Sequence, residues 1–474
     1  MFVISSIRQY HREGLFYTLG MDYRVYRATA RIVAQQERPY NWSTQQSVQL
    51  EIAAPHMHDS YRTVVGPMLY PPVMLWAFYP LEWFSPESGF YIWTLATLLL
   101  SLWYLKFYAS SLGIVFPGSL LLVSIPSLST FYYGQISVLL LVAGGEWLRC
   151  AVLQNPSRSG AAAAGLFVKP QLLPLIALLQ WLVAPVRSRR WFIGSLFILV
   201  LLCLRSGDSA AWLMALRDSL FSPDPSISVE YMPNVRSLIA DIVGPHAPYG
   251  GPLALVISVF LVAAFFYDIL RATKTPVVLH MIRTLLLTCM LSWHFHIHSA
   301  VIALPALLLL SKLGTLMRNL VVTWLVLPSL IFGVLGSAGN VYKGLLLGRL
   351  PLLALTAIIF YLTYRKDIML SFESTSPDFH GMKSPGASPR MAANAVEKSS
   401  FLTQSITDSK LPSRKALSNE KSGPNSRLLE GKIFLSIARP AKRLVRIPSS
   451  LPPYLTRRGY CCPFTEEILF RHHF

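Results

Sequence analysis

Four kinds of side chain in this sequence could do chemistry, and the first three lie beside or within an apolar segment. The first is a lone acid, Asp22, near the head of Met21-Asp22-Tyr23-Arg24-Val25-Tyr26-Arg27. A carboxylate can act as general base toward a sugar hydroxyl, and partial desolvation at a membrane surface would raise its pKa toward a useful range. A helix N-terminus also favours an acid through its dipole, so Asp22 has a structural reading as well. The second is Lys169, in Gly165-Leu166-Phe167-Val168-Lys169-Pro170-Gln171-Leu172-Leu173-Pro174. An ammonium at membrane depth is costly and points to function, naturally as a phosphate partner; snorkelling from a short helix end is the alternative. The third is the histidine run Ser292-Trp293-His294-Phe295-His296-Ile297-His298. Its alternate spacing resembles a strand-like clamp more than helical i, i+4 metal ligands, and no Cys, Asp or Glu cluster completes a site. No metal is expected there. The imidazoles are read as donors to a phosphate or sugar, with an interfacial structural role as the alternative. Arg236, in Met232-Pro233-Asn234-Val235-Arg236-Ser237-Leu238, offers bidentate phosphate contacts or is an ordinary loop arginine.

Missing motifs narrow the chemistry. The sequence has no Asp-x-Asp pair to hold a metal and a nucleotide diphosphate, no phosphate-cradling Gly-rich loop and no nucleophile elbow. A soluble nucleotide-sugar donor, an ATPase motor and a serine hydrolase are disfavoured, and no cofactor is expected.

The elements that must position these residues are membrane helices. Hydrophobic residues make up 53% of the 474-residue chain and charged residues 14%, and mean hydropathy is positive. Apolar runs of about 17 to 24 residues recur, the length needed to cross a bilayer. The expected class is an all-α, polytopic helical membrane protein with about nine to eleven membrane segments. The net charge of +19 does not indicate a nucleic-acid partner: much of the excess lies in the C-terminal tail, and basic flanks of spans fit cytoplasmic retention and anionic lipid headgroups. Cys150, Cys203 and Cys289 read as small buried residues, and the adjacent Cys461 and Cys462 form no disulfide framework.

In chain order, residues 1–20 carry no apolar run long enough for a signal peptide or a span. Asp22 to Ala34 fits a helix with Tyr26, Ala30 and Val33 on one face, ended by Arg38-Pro39-Tyr40. A polar loop is expected over 41–66, and Val73 to Phe84 is short enough to be interfacial or re-entrant. Spans are expected at 89–108, 112–131, 136–153, 191–204, 251–270, 276–292, 296–311, 319–339 and 344–364. Gly160 to Ala184 is interrupted by Lys169-Pro170 and Pro174, which predicts a broken or re-entrant helix lining a cavity. A long polar loop, 205–250, carries Asp208, Asp218, Asp224, Glu230 and Asp241. Arg187-Ser188-Arg189-Arg190, Arg271 with Lys274, Lys312 with Arg318, and Arg365-Lys366 mark cytoplasmic ends, which puts the Asp22 loop, Gly134-Gln135 and 205–250 on the outer face. Residues 1–365 read as the membrane domain and 366–474 as a basic, Ser/Pro-rich cytoplasmic tail, mostly disordered. Gly431 to Ile447 reads either as a basic amphipathic segment at the inner surface or as solvated tail.

The motifs taken together resemble a known family. Asp22-Tyr23-Arg24-Val25-Tyr26 followed by Arg38-Pro39-Tyr40 and Leu69-Tyr70-Pro71-Pro72 is similar to the first outer loop of glycosyltransferase family 87. Gly134-Gln135-Ile136-Ser137-Val138-Leu139 resembles that family's Gly-Gln motif, and Gly165 to Pro174 its lysine-containing segment. Asn234-Val235-Arg236-Ser237-Leu238 and Ser292 to His298, with Leu304-Pro305 after them, are similar to later signatures; the similarity covers about residues 20–365 in matching order. The resemblance implies a GT-C-like membrane enzyme in the cell membrane. It would move a sugar, mannose foremost, from a polyprenyl-phosphate donor to a hydroxyl of a glycan or glycolipid acceptor on the outer face, with inversion. Asp22 would be the base. Lys169, His296, His298 and Arg236 would serve the donor phosphate, and Tyr26, Tyr70, Gln135 and Asn234 would line the substrate pocket. A lipid or solute transporter, or a homologue that binds lipid-linked sugar without catalysis, are the rival readings.

Overall fold

The structure, a computed structural model, describes residues 20–53, 65–115, 118–221, 232–244, 249–271, 275–337, 341–365 and 368; side chains are described for all of these except 219–221, 335–337 and 341–346. All belong to one structural unit within Met1–Ser399. The described residues form helices and turns and no strand. The tail from 369 onward, with Gly431–Ile447, Cys461 and Cys462, and also residues 1–19, Asp59, Asp224 and Glu230, lies outside the described residues.

The chain opens with α1 (Met21–Ala34) and α2 (Trp42–Ala53). After a broken run of single turns over Pro72–Trp83 come α3 (Pro86–Ser111), α4 (Ile125–Tyr133), α5 (Val138–Val152), α6 (Pro156–Ala164), α7 (Leu173–Leu182), α8 (Val186–Arg205) and α9 (Ser209–Phe221). The remainder is α10 (Val235–Val243), α11 (Gly250–Arg271), α12 (Val277–Leu291), α13 (Leu304–Leu310), α14 (Thr315–Ser337) and α15 (Val341–Leu362).

Local sequence explains many of the ends. Ser85 caps α3, its Oγ accepting from Ser88 N at 3.2 Å with Pro86 in the first turn, and Asn155 caps α6 through Arg158 N at 3.1 Å. Asn234 caps α10 through Ser237 N at 3.0 Å. Gly134 closes α4 with φ of +67°, the left-handed conformation that a C-terminal glycine supplies.

Among the described residues, three helices are long and apolar enough to cross a bilayer: α3, α11 and the Thr315–Val334 part of α14. Only 28%, 28% and 33% of their apolar windows are covered by protein, so most of each faces outward with apolar side chains that lipid tolerates and water does not. The pair α8 and α9, bent by 103°, adds a fourth crossing if taken as one. Of the other expected spans, 136–153 and 276–292 form the 15-residue α5 and α12, 344–364 lies in the 22-residue α15, and single turns interrupt two more. The 112–131 stretch contains a left-handed Gly113, a 3-10 turn at Gly118–Val123 and only then α4, and the 296–311 stretch opens with a 3-10 turn, Ile297–Ala303, before α13. The 160–184 stretch is broken as expected: 3-10 turns at Gly165–Val168 and Pro170–Leu172 flank Lys169 between α6 and α7.

Two loops expected from polarity hold helices. Within 41–66, α2 forms because its polar side chains find partners: Gln45 donates to Thr29 Oγ1 and Pro39 O, both at 2.8 Å, and Gln49 exchanges bonds with the Gly66 backbone. Within 205–250, α9 and α10 are helical.

At the centre sit α12 and α13, buried on all sides except at Val277; α13 is apolar throughout, and polar side chains of α12 are buried with partners, Arg283 on Thr363 and Thr284 and Thr288 on the carbonyls of His280 and Thr284. Both helices belong to a core with Trp147, Leu285, Leu307 and Trp324. A second apolar cluster, with Tyr23, Tyr26, Met74, Phe78, Phe90 and Trp212, seats α1 on the Pro72–Trp83 run. That seat is fastened by an ion pair between Arg27 and Glu82 and by Arg27 Nη2 donating to Phe84 O at 3.1 Å.

Candidate active site

Asp22 stands in the first turn of α1, and a step of four residues places Tyr26 one turn on along the same face. Tyr26 and Tyr70 are bonded to each other at 2.9 Å, and both hydroxyls reach Gln135 Oε1, at 3.1 and 2.8 Å. With its carbonyl oxygen taken by the two tyrosines, the amide nitrogen of Gln135 is left to donate to the Asp22 carboxylate, with which it is hydrogen-bonded. Asp22 keeps some surface open to solvent while its carboxylate is packed among protein atoms. Burial raises its pKa above the ordinary value; the Gln135 bond and the charges of Lys169 and Arg24 pull it part-way back. Burial, and then the negative charge of Asp22, pushes the Tyr70 phenol up, so its hydroxyl stays protonated.

The backbone under these side chains is fixed from several directions. Tyr40 Oη donates to Tyr70 O at 2.8 Å and Trp212 Nε1 to Leu69 O at 3.1 Å, which is what the Arg38-Pro39-Tyr40 turn and the α8–α9 bend contribute. Trp93 Nε1 donates to Gly134 O at 2.9 Å. A Cβ on Gly134 would stand 2.7 Å from the Cβ of Tyr23, so glycine is required both for the turn and for the approach of α1.

Lys169 occupies the break between the two 3-10 turns, and its 6% exposure rules out snorkelling. Its ammonium lies 3.0 Å from His298 Nε2 and 2.9 Å from Ser299 Oγ, and 5.8 Å from the centre of the Tyr70 ring. It is also close enough to Asp22 for each charge to stabilise the other. Asp22, Tyr26, Tyr70, Gln135, Lys169 and His298, drawn from five separate stretches of sequence, are thus brought into one cluster.

The rest of the expected set continues from there. His296 lies against His298 with ring centres 5.5 Å apart and planes 18° from parallel. Arg236, at the start of α10, stacks its guanidinium 4.4 Å over the Trp293 ring and reaches Trp293 O at 3.4 Å. Asn234 is buried and fully used: its Oδ1 caps α10 and its Nδ2 donates to Ser292 O at 2.8 Å. It therefore holds the histidine turn in place rather than facing an open pocket. No group of three or more potential metal ligands exists among the described residues.

The sequence model of glycosyltransferase family 87 matches residues 68–292. Over that stretch the chain is similar to glycosyltransferase family 87. No curated protein and no solved structure matches the chain. The likeness to a glycosyltransferase family and the outward-facing apolar helices agree with one another, since those helices fit a membrane protein. The matched stretch contains Tyr70, Gln135, Lys169, Asn234 and Arg236, while Asp22, Tyr26 and the run from Trp293 to His298 lie outside it. The fold nevertheless draws both groups together around Lys169.

Several residues that build the site escaped the sequence reading. Ser299, the second partner of Lys169, follows His298 directly and carries no signal of its own. Trp212 lies in what read as a polar loop. Arg349 did leave a signal, being a cation inside the apolar helix α15. It is 2% exposed and binds Asp241 at 2.5 Å and Ser237, which clamps α10 and with it Asn234 and Arg236.

Proposed function

We propose that the protein transfers a sugar, mannose foremost, from a polyprenyl-phosphate donor to a hydroxyl of a glycan or glycolipid, with Asp22 as general base. The observation that carries this reading is the meeting of Asp22 and Lys169 across the Tyr26–Tyr70–Gln135 triad in a chain similar to this family. In the reaction the acceptor oxygen attacks the anomeric carbon as the bond from that carbon to the phosphate oxygen breaks. The acceptor proton passes to the Asp22 carboxylate, and the electron pair of the broken bond leaves on the phosphate. One displacement with a single carboxylate gives inversion at the anomeric carbon.

The residues divide the work. Gln135 aims the carboxylate through its amide, while Tyr26 and Tyr70 fix that amide by occupying its oxygen. A base whose pKa is raised by burial takes a proton more readily than an exposed aspartate does. On the donor side, the row from Lys169 through His298 and His296 to Arg236 gives a positive field to a phosphate that gains charge as it departs. By the positive-inside rule the site lies on the outer face of the cell membrane and the tail from 366 on the cytoplasmic side.

The test is transfer from radiolabelled polyprenyl-phosphate mannose to membrane acceptors by wild type and Asp22→Asn. Transfer by wild type that falls by about 10² to 10⁴ in the variant is expected for loss of a general base. Equal rates in the two proteins would remove Asp22 from the mechanism.

A further inference from the structure

The charges in the site are not evenly used. Lys169 already has His298, Ser299 and the opposite charge of Asp22. At the other end of the histidine row, Arg236 has the Trp293 ring and one long bond to a backbone carbonyl, and no carboxylate partner among the described residues. Beside it stands His294. That side chain is 92% buried by its 8% exposure, and neither ring nitrogen has a hydrogen-bond partner. A buried imidazole with two idle nitrogens is costly unless something absent from the bare protein meets it. Burial, and then the neighbouring Arg236, pushes His294 down to about 4, so at neutral pH it is uncharged with one N–H to donate.

Resting on the polyprenyl-phosphate reading above, we propose that Arg236 and His294, backed by the Trp293 ring, form the seat of the donor phosphate, and that Lys169 serves as the charge partner of Asp22. The distribution of charge supports the division. Asp22 faces the opposite charges of Lys169 and Arg24, whereas Arg236 has no carboxylate partner among the described residues and is the cation left to meet the negative charge of a phosphodiester. A guanidinium presents paired N–H donors to two phosphate oxygens, and the ring beneath it fixes the plane of the fork. The His294 N–H supplies a further bond from the buried side. As the sugar–phosphate bond breaks, the second negative charge develops beside Arg236. The acceptor and its proton stay at the Asp22 end. Asn234 and Arg349 act through others here: they position Arg236 by holding the first turn of α10.

The decisive experiment measures binding of a short-chain polyprenyl monophosphate, the matching polyprenol and inorganic phosphate to the detergent-purified full chain, for wild type, Arg236→Gln, Arg236→Lys, His294→Gln and Lys169→Gln. Melting temperatures of all five confirm folding, and Arg236→Lys serves where Arg236→Gln does not fold. Wild type is expected to prefer the monophosphate over the alcohol and over free phosphate. Arg236→Gln and His294→Gln should each weaken monophosphate binding by at least about tenfold and leave the alcohol unchanged. Lys169→Gln should keep the preference while losing transfer. If Lys169→Gln loses the preference and the Arg236 and His294 variants keep it, the phosphate sits at the lysine end; this inference falls and the donor class stands. If wild type itself shows no preference for the phosphate over the alcohol, the donor class falls too.

Discussion

Gly134→Ala perturbs the site through geometry alone. The new methyl group would lie 2.7 Å from the Tyr23 Cβ and 3.2 Å from the Phe90 ring. Ordinary contact begins near 3.4 Å, so the first approach must open by 0.7 Å (3.4 minus 2.7). Rotating the Tyr23 side chain cannot provide that distance, because its Cβ is attached to the backbone; α1 or the Gly134 turn has to move. Alanine must also hold φ near +67°, which costs about 1–2 kcal/mol, and overpacking adds about 1–3 kcal/mol. Together these destabilise the fold by roughly 2–5 kcal/mol. The displacement falls between Asp22 on α1 and Gln135 next to the mutated residue, which are hydrogen-bonded to each other. A misplacement approaching 1 Å at reacting groups costs on the order of 10²-fold in rate. Transfer assays at a temperature where the variant remains folded, run beside thermal melts in the same detergent, separate the two effects. A variant that melts lower and, while folded, loses about tenfold or more in kcat is expected. Wild-type stability with wild-type kcat would refute the argument that α1 is seated on this glycine.

Other perturbations test separate parts of the site. Because burial raises the Asp22 pKa, the acid limb of kcat/KM should lie above the ordinary aspartate range, and Asp22→Asn should abolish that limb; a limb near pH 4 in wild type would contradict the burial. The same shift has a stability consequence. A folded pKa above the unfolded one contributes stability below the unfolded pKa that is lost as pH rises through the folded pKa, so at neutral pH Asp22→Asn should melt at or above wild type while losing transfer. Arg349→Gln leaves Asp241 and Ser237 without their buried cation and should cost about 3 kcal/mol, with donor KM rising more than kcat falls; an unchanged donor KM would separate α10 from donor binding. Trp212→Phe removes the bond to Leu69 O but keeps the ring against Phe167, so a modest loss of kcat with little change in melting temperature is expected from the assay pair; a large melting shift would make Trp212 a packing residue instead.

What the sequence disclosed and what it hid follow from the range of the interactions involved. Membrane class, the α1 helix and the break at Lys169-Pro170 are local consequences of hydropathy, spacing and proline, and all were legible. α2 was not, because its polar face is satisfied by Thr29, Pro39 and Gly66, partners that only the folded chain supplies. Asn234 was legible as a site residue but its work was not: an Asn before Val-Arg-Ser reads equally as a helix cap or a ligand, and only the bond to Ser292 O decides for the structural role. The histidines show the limit most sharply. His294, His296 and His298 look equivalent in the sequence, since alternate spacing treats them alike. In the fold, His298 is spent on Lys169, His296 is stacked upon it, and His294 faces Arg236 with both nitrogens unused. The difference arises because the turn between α12 and α13 sets the three rings at successive depths between two cations. A site of this kind is built from which polar atoms remain unsatisfied after folding. That quantity belongs to no single motif: of the three histidines only His294 keeps two buried ring nitrogens without a partner, and it does so beside Arg236.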